Sequence, residues 1–310
     1  MKRVNDNIMI RSILFALFFV ASNARFRSPI ELIGYVPSPL ITEETPYEAW
    51  IRSGKPVIDD VDWRNVNGTD FTLEAKSQFV PAPCGSCWSF GSTGALSDRI
   101  VIRSGGIRFD ISPQGLLDCG EAAGSCNGGS HYLAYQFMTK NGMTDTTCSP
   151  YRGVDHSNWG ESACSSRMCR ICNRFGTCSY RAANETLSVK VEQFGSILGV
   201  DAMKAEISAR GPIACSMYAH ADVFENYKGG IIQDTTKYPG TTHVVNVVGF
   251  SKSKDGVPYW IVRNSFGTYW GELGYYRVEI GKNIYNMESS NCSWAIPDSE
   301  FISLLKSLRV

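Results

Sequence analysis

Cys84-Gly85-Ser86-Cys87-Trp88 opens the stretch on which the fold reading turns. From Cys87 to about Arg103, Trp88, Ala95, Leu96 and Ile100 fall near one helical face, and Gly105-Gly106 follows as a stop. The spacing predicts a helix whose first turn carries a cysteine. There, unpaired backbone N–H groups and the positive end of the helix dipole favour the thiolate, the nucleophilic form of the side chain. Gly85, without a side chain, lets a substrate backbone come close. A disulfide staple, a CxxC redox pair or half of a zinc site are the other readings of these five residues. A redox pair wants a βαβ setting, which the flanking sequence lacks. A zinc site could take its second pair from Cys169 and Cys172 but wants a reducing setting, which the N-terminus opposes.

Outward toward the C-terminus the pattern changes from helical to extended. His243-Val244-Val245-Asn246-Val247-Val248, Pro258 to Arg263 and Gly274 to Ile280 are β-branched or aromatic runs separated by glycine-containing turns. They predict an antiparallel, curled sheet in a second lobe, hence an α+β chain with a cleft between two unlike lobes. A nucleophilic cysteine needs a base, and the base needs an orienting partner. The chain has four histidines, at 131, 156, 220 and 243. His156 lies in a polar loop, whereas His243 opens an apolar strand that would hold its ring rigidly. Asn264 follows 21 residues later at the end of another strand, where its amide can hold an imidazole.

Outward toward the N-terminus, Lys2, Arg3 and Arg11 precede a nine-residue apolar run, Ile13 to Ala21, and Ser22-Asn23-Ala24 offers a small-x-small cleavage site. Residues 1–24 therefore read as a secretory signal, since the run is short of the roughly 20 residues that span a bilayer. Residues 25–56 are proline-rich, without cysteine or helical periodicity, and read as a short removable pro-segment ahead of a body over 57–310. The 310 residues are 43% hydrophobic, enough for a full core. Thirty basic residues balance thirty acidic ones, so a nucleic-acid partner is not expected. No later stretch is long enough for a membrane span. Eleven cysteines are many for a reducing compartment, and the odd number leaves one over if ten pair. Sequons at Asn67, Asn184 and Asn291 agree with a secretory route.

Cys84 to Trp88, Cys126-Asn127-Gly128-Gly129, His243 with its valine-rich strand, and Tyr259-Trp260-Ile261-Val262-Arg263-Asn264-Ser265-Phe266-Gly267 together resemble the papain family of cysteine peptidases, over nearly all of residues 57–297. The branch most resembled is cathepsin X, also called cathepsin Z. Asp62-Trp63-Arg64-Asn65-Val66, the short pro-segment and the spacing of Cys148, Cys164, Cys169, Cys172 and Cys178 carry that likeness. It implies a papain-like fold: a helical N-terminal lobe over about 57–185, an antiparallel β-barrel-like lobe over 186–298 and a short extension, 299–310. It implies the disulfides Cys84–Cys126, Cys119–Cys164, Cys148–Cys169, Cys172–Cys178 and Cys215–Cys292, leaving Cys87 as the nucleophile paired with His243 and Asn264. No metal and no cofactor is needed. Gly85, Gly128, Gly129, Phe79, Phe266 and Trp270 are the implied substrate-binding positions, with simple turn glycines as the plainer reading of the glycines. Peptides or proteins are the implied substrates, cystatin-type proteins the implied inhibitors, and the chain is expected to be monomeric in a lysosome-like or extracellular compartment.

The chain also departs from the family. The side-chain oxyanion donor of papain-like enzymes is a glutamine six residues before the cysteine, but that position is Pro81. Cathepsin X has a three-residue insertion there, and allowing for it the donor becomes Gln78, otherwise an ordinary polar loop residue. The histidine that follows this glutamine in cathepsin X, credited with holding a substrate's terminal carboxylate, is Phe79 here. Phe266 replaces the usual tryptophan beside the histidine. A carboxypeptidase is thus the first expectation and an endopeptidase or dipeptide-releasing enzyme the second. A disulfide-rich binding protein that has lost catalysis is the reading from another class, against which the intact set of Cys87, His243, Asn264 and Gln78 stands.

Overall fold

The computed structural model describes residues 60–158, 164 and 169–308, with Glu48, Arg52 and Ser53 apart from them. The expected signal and all but those three positions of the expected pro-segment lie outside the described residues. After the short strand β1 (Val61–Asp62), the chain enters α1 (Cys87–Ser104). Gly105, at φ 75°, ends it by sending its N–H back to the carbonyls of Val101 and Ile102, an αL stop that costs glycine no Cβ clash. The periodicity suggested one buried face, but Asp98 and Arg99 are buried as well as Trp88, Ala95, Leu96 and Ile100. The reason is position. Neighbouring helices cover one side of α1 and the sheet of the second lobe covers the other.

The first lobe continues with α2 (Pro113–Cys119), capped by the Ser112 hydroxyl accepting from Gly115 N–H. A short ladder of β2 (Gly124–Ser125) with β3 (Gly128–Gly129) follows. Next comes α3 (His131–Lys140), capped by Ser130 through Leu133 N–H. Each cap satisfies one donor that the helix itself cannot. A hairpin of β4 (Cys169–Cys172) and β5 (Cys178–Arg181) completes the lobe. Trp88, Leu96, Leu116, Tyr135 and Met138 fill the core.

The second lobe is built on β6 (Val191–Ile197), α4 (Val200–Arg210), β7 (Ile213–Met217), α5 (Asp222–Glu225) and β8 (Ile231–Ile232). It continues with β9 (His243–Lys252), β10 (Pro258–Arg263), β11 (Tyr275–Glu279) and β12 (Cys292–Pro297). The three runs expected as strands are β9, β10 and β11. They lie in one eight-stranded sheet of order β6-β12-β7-β9-β10-β11-β8, with β1 added alongside β9. All pairings are antiparallel except β11 with β8. Among the described residues no ladder joins β6 to β8, so the lobe is an open sheet rather than a closed barrel. Phe224, Phe250, Trp260 and Tyr276 anchor its core.

The two ends of the body cross between lobes. β1 pairs with β9 in the second lobe. The last helix, α6 (Ser299–Ser307), docks on the first, where Phe301 meets Phe109 edge-on at 4.8 Å and Ile302 and Leu305 are buried. The expected extension is therefore a packed helix over these residues.

Candidate active site

Cys87 is the first residue of α1 and is buried. The structure joins Cys84 to Cys126, Cys119 to Cys164, Cys148 to Cys169, Cys172 to Cys178 and Cys215 to Cys292, so Cys87 is the one cysteine of the eleven outside a disulfide. The loop before it is held twice to the segment carrying Cys126, by the Cys84 disulfide and by Gly85 N–H donating to Cys126 O at 2.8 Å. Ser86 occupies the N-cap position but makes no side-chain cap. Its hydroxyl turns instead to the Tyr151 hydroxyl, 2.8 Å away. The positive end of α1 is thus left to act on Cys87.

One turn into α1, Gly91 lies so close to β9 that a Cβ on it would stand 2.4 Å from Val244 Cγ1. This crossing brings the first turn of α1 alongside the start of β9, where His243 is fully buried. His243 Nε2 lies 2.7 Å from Asn264 Oδ1, which also accepts from Ser265 N–H at 2.8 Å. An amide oxygen only accepts, so Nε2 carries the hydrogen and a neutral ring presents its lone pair at Nδ1. Nδ1 is buried without a hydrogen-bond partner. Burial pushes the His243 pKa down to about 4, with the Asn264 hydrogen bond working against it and the charge of His220 adding to it.

Aromatic rings wall the histidine. Phe266 lies 5.0 Å from the imidazole, centroid to centroid, and Phe224 lies 6.4 Å away. Trp270, 5.6 Å from Phe266, is buried behind it. Phe79, on the segment between β1 and α1, reaches the second lobe to sit 5.1 Å from Phe266. Phe79 and Phe266 therefore form a bridge beside His243, backed by Trp270.

Gln78 is completely buried and held at every polar group. Its N–H donates to Ser265 O at 2.8 Å, its carbonyl accepts from Tyr151 at 2.8 Å, its Oε1 accepts from the Ser265 hydroxyl at 2.7 Å, and its Nε2 donates to Cys84 O at 3.0 Å. Its partners, Ser265 beside Asn264 and Cys84 ahead of Cys87, tie it into the strand end and the loop that carry the other two residues.

The remaining expected positions fall as follows. Gly128 and Gly129 form β3, and a Cβ on Gly129 would lie 2.5 Å from the Trp88 ring, so its bareness serves close packing. Asn67 and Asn184 are exposed, whereas Asn291 is 9% exposed with both amide atoms buried and unpartnered. A glycan on Asn291 would have no path out of the folded chain. The contacts of Tyr151, the Ser265 hydroxyl, Phe224 and the Asp98–Arg263 pair have no counterpart in the sequence motifs. That pair, at 2.9 Å with side chains 0% and 4% exposed, joins α1 to the residue before Asn264. Burial pushes the Asp98 carboxyl up against the pull of Arg263, and Leu73 satisfies both members through its N–H and C=O. Two charges in unlike elements carry no local signal of meeting.

The chain matches the papain family cysteine protease over residues 57–295. It is 37% identical over 249 residues to cathepsin Z of Onchocerca volvulus, which covers 76% of each chain. It is 31% identical over 254 residues to pro-cathepsin H of Bos taurus, covering 80% of this chain and 67% of that one. Among solved structures, digestive procathepsin L2 from the Tenebrio molitor larval midgut superposes with a TM-score of 0.68 at 25% identity, across 86% of this chain and 78% of that one. With a thiol at the head of a buried helix, an asparagine-held histidine on the strand that this helix crosses, and relatives of this kind over most of its length, the chain belongs to the papain family of cysteine peptidases.

Proposed function

We propose that this cysteine peptidase removes residues from the C-termini of peptides, with Cys87 as nucleophile, His243 as acid and base, Asn264 as its orienting partner and Gln78 as oxyanion donor. Burial alone keeps His243 neutral, so a resting imidazolium requires an anion beside Nδ1, and the Cys87 thiolate is that anion. The thiolate attacks the peptide carbonyl carbon, the C–S bond forms, and the carbonyl electrons move to oxygen. That oxyanion takes hydrogen bonds from the Cys87 N–H and from Gln78 Nε2. As it collapses, the C–N bond breaks and His243 Nδ1 delivers its proton to the leaving amine. His243 then takes a proton from water, which attacks the thioester and returns the thiolate.

The observation that carries the exopeptidase reading is the Phe79–Phe266 bridge. His243 protonates the leaving amine, so a wall beside His243 stands where residues beyond the scissile bond would run, and a short leaving group fits best. The likeness to a cathepsin Z supports the same reading. Because Phe79 offers neither charge nor donor, the wall excludes by shape and does not recognise the carboxylate. This favours a second reading, endopeptidase action on chains that bend past the wall. Five disulfides and the N-terminal apolar run support a secretory or lysosomal route with removal of a pro-segment, and Asn67 and Asn184 are the glycan positions compatible with it.

The test compares one peptide as C-terminal acid and as amide. We expect single-residue release with a kcat/KM ratio modestly favouring the acid, and Phe79→His to raise that ratio. Internal cleavage as the dominant event would overturn the exopeptidase reading. A strong acid preference that Phe79→His leaves unmoved would place carboxylate recognition outside this loop.

A further inference from the structure

We propose that Tyr151 is a positioning residue for the oxyanion-binding pair, its hydroxyl tying Gln78, which carries the side-chain donor, to Ser86, which precedes the backbone donor. The inference rests on the assignment of Gln78 and the Cys87 N–H as those donors. Tyr151 donates to the Gln78 carbonyl at 2.8 Å. A phenol has one hydrogen, so the 2.8 Å contact with Ser86 is made by the Ser86 hydroxyl donating to the phenol oxygen. The result is a relay from Ser86 O–H through the Tyr151 hydroxyl to Gln78 C=O, which closes the loop from 78 to 86 at both ends. The inserted residues lie inside that loop, where Val80 is 62% exposed. An exposed insertion between two donors that must act together makes a tether at its base necessary for fixed geometry.

The Tyr151 ring is itself held edge-on to Phe90 at 4.8 Å. A phenylalanine at 151 keeps that packing and removes only the hydroxyl.

The experiment is a double-mutant cycle of Tyr151→Phe and Gln78→Ala on the mature enzyme, with kcat and KM measured separately. For Tyr151→Phe we expect kcat to fall about tenfold, an order suggested by the cost of small misplacements at reacting groups, with KM within about twofold. The rate of Cys87 alkylation by iodoacetamide should hold within about twofold, because alkylation forms no oxyanion, and this also reports that the variant is folded. In the Gln78→Ala background the further loss should shrink to under about twofold, because there is no longer a side-chain donor to position. If Gln78→Ala is impaired while Tyr151→Phe turns over normally, Tyr151 positions nothing and the proposal fails alone. It fails alone also if the two effects multiply in full. If Gln78→Ala itself retains wild-type kcat, the oxyanion assignment falls and the role of Tyr151 falls with it.

Discussion

Two nitrogens of one ring have different surroundings at His243, the proposed catalytic histidine. Asn264 fixes Nε2 as the donor and leaves Nδ1 as the buried basic atom, while burial makes a lone imidazolium costly. In the proposed mechanism, protonation of His243 and ionisation of Cys87 stabilise each other. The measurable consequence is the pH profile of Cys87 alkylation. In the wild type the rate should stay nearly level from about pH 5 to 8. In His243→Ala it should be slower at pH 6 and climb toward the ordinary thiol range near 8.5. Identical profiles in the two proteins would mean that His243 does not ionise the thiol. The positions of the candidate residues Cys87, His243 and Asn264 are legible in the sequence because each sits at the start or end of an element whose pattern is local. Gln78 needed the insertion to be allowed for. Tyr151 was not legible at all, since its value lies in a hydroxyl that meets Ser86 and Gln78 across 65 and 73 positions of chain.

At the scale of elements, the site is made by the crossing of α1 over β9. Gly91 is the contact point, and the only side chain that fits against Val244 there is a hydrogen atom. Asn246 Nδ2 donates to Gly91 O within the same crossing, so the helix is both pressed and bonded to the strand. Gly91→Ala puts a methyl 2.4 Å from Val244 Cγ1, and overpacking of this kind costs about 1 to 3 kcal/mol. We expect a lower urea midpoint and a reduced kcat, since the helix that carries Cys87 must shift from the strand that carries His243. Val244→Ala in the same chain should recover part of both losses by making room. If Gly91→Ala is as stable and as active as the wild type, the crossing is looser than the contact implies. The helix itself was visible in the sequence, but its burial on all sides was not. Asp98 and Arg99 look like a solvated face until the second lobe covers them, Asp98 meeting Arg263 and Arg99 meeting Glu206 at 2.9 Å. Long-range pairing of that sort follows from topology, which periodicity does not report.

Across the whole molecule the lobes are joined by polar groups as well as by the crossing termini, and one of those groups makes the joint sensitive to acid. His131 opens α3 in the first lobe and is fully buried between two hydroxyls of the second, Ser293 at 2.5 Å and Ser216 at 3.0 Å. Burial pushes its pKa down to about 3, with a hydrogen bond involving Asn291 opposing. In the unfolded chain the ring titrates near 6.5. Between these values the unfolded chain binds the proton and the folded chain does not. The stability that His131 lends is therefore complete above about pH 6.5 and drains away as the pH falls, by about 1.4 kcal/mol per unit. The proposed catalytic pair of Cys87 and His243 would add the same sign. Whether its proton sits on Cys87 or His243, the folded site holds one proton where the unfolded residues hold two below about pH 6.5. Both contributions act in the window from about pH 6.5 to 5, above the range in which ordinary carboxylates titrate. Urea unfolding across that window should show stability falling with acid at close to twice the single-group slope. His131→Gln, which can still hydrogen-bond both serines, should roughly halve that slope while leaving the pH profile of Cys87 alkylation unchanged. A slope that the substitution does not alter would show that the lobe joint is insensitive to proton uptake at His131 and that the acid response arises in the catalytic pair alone.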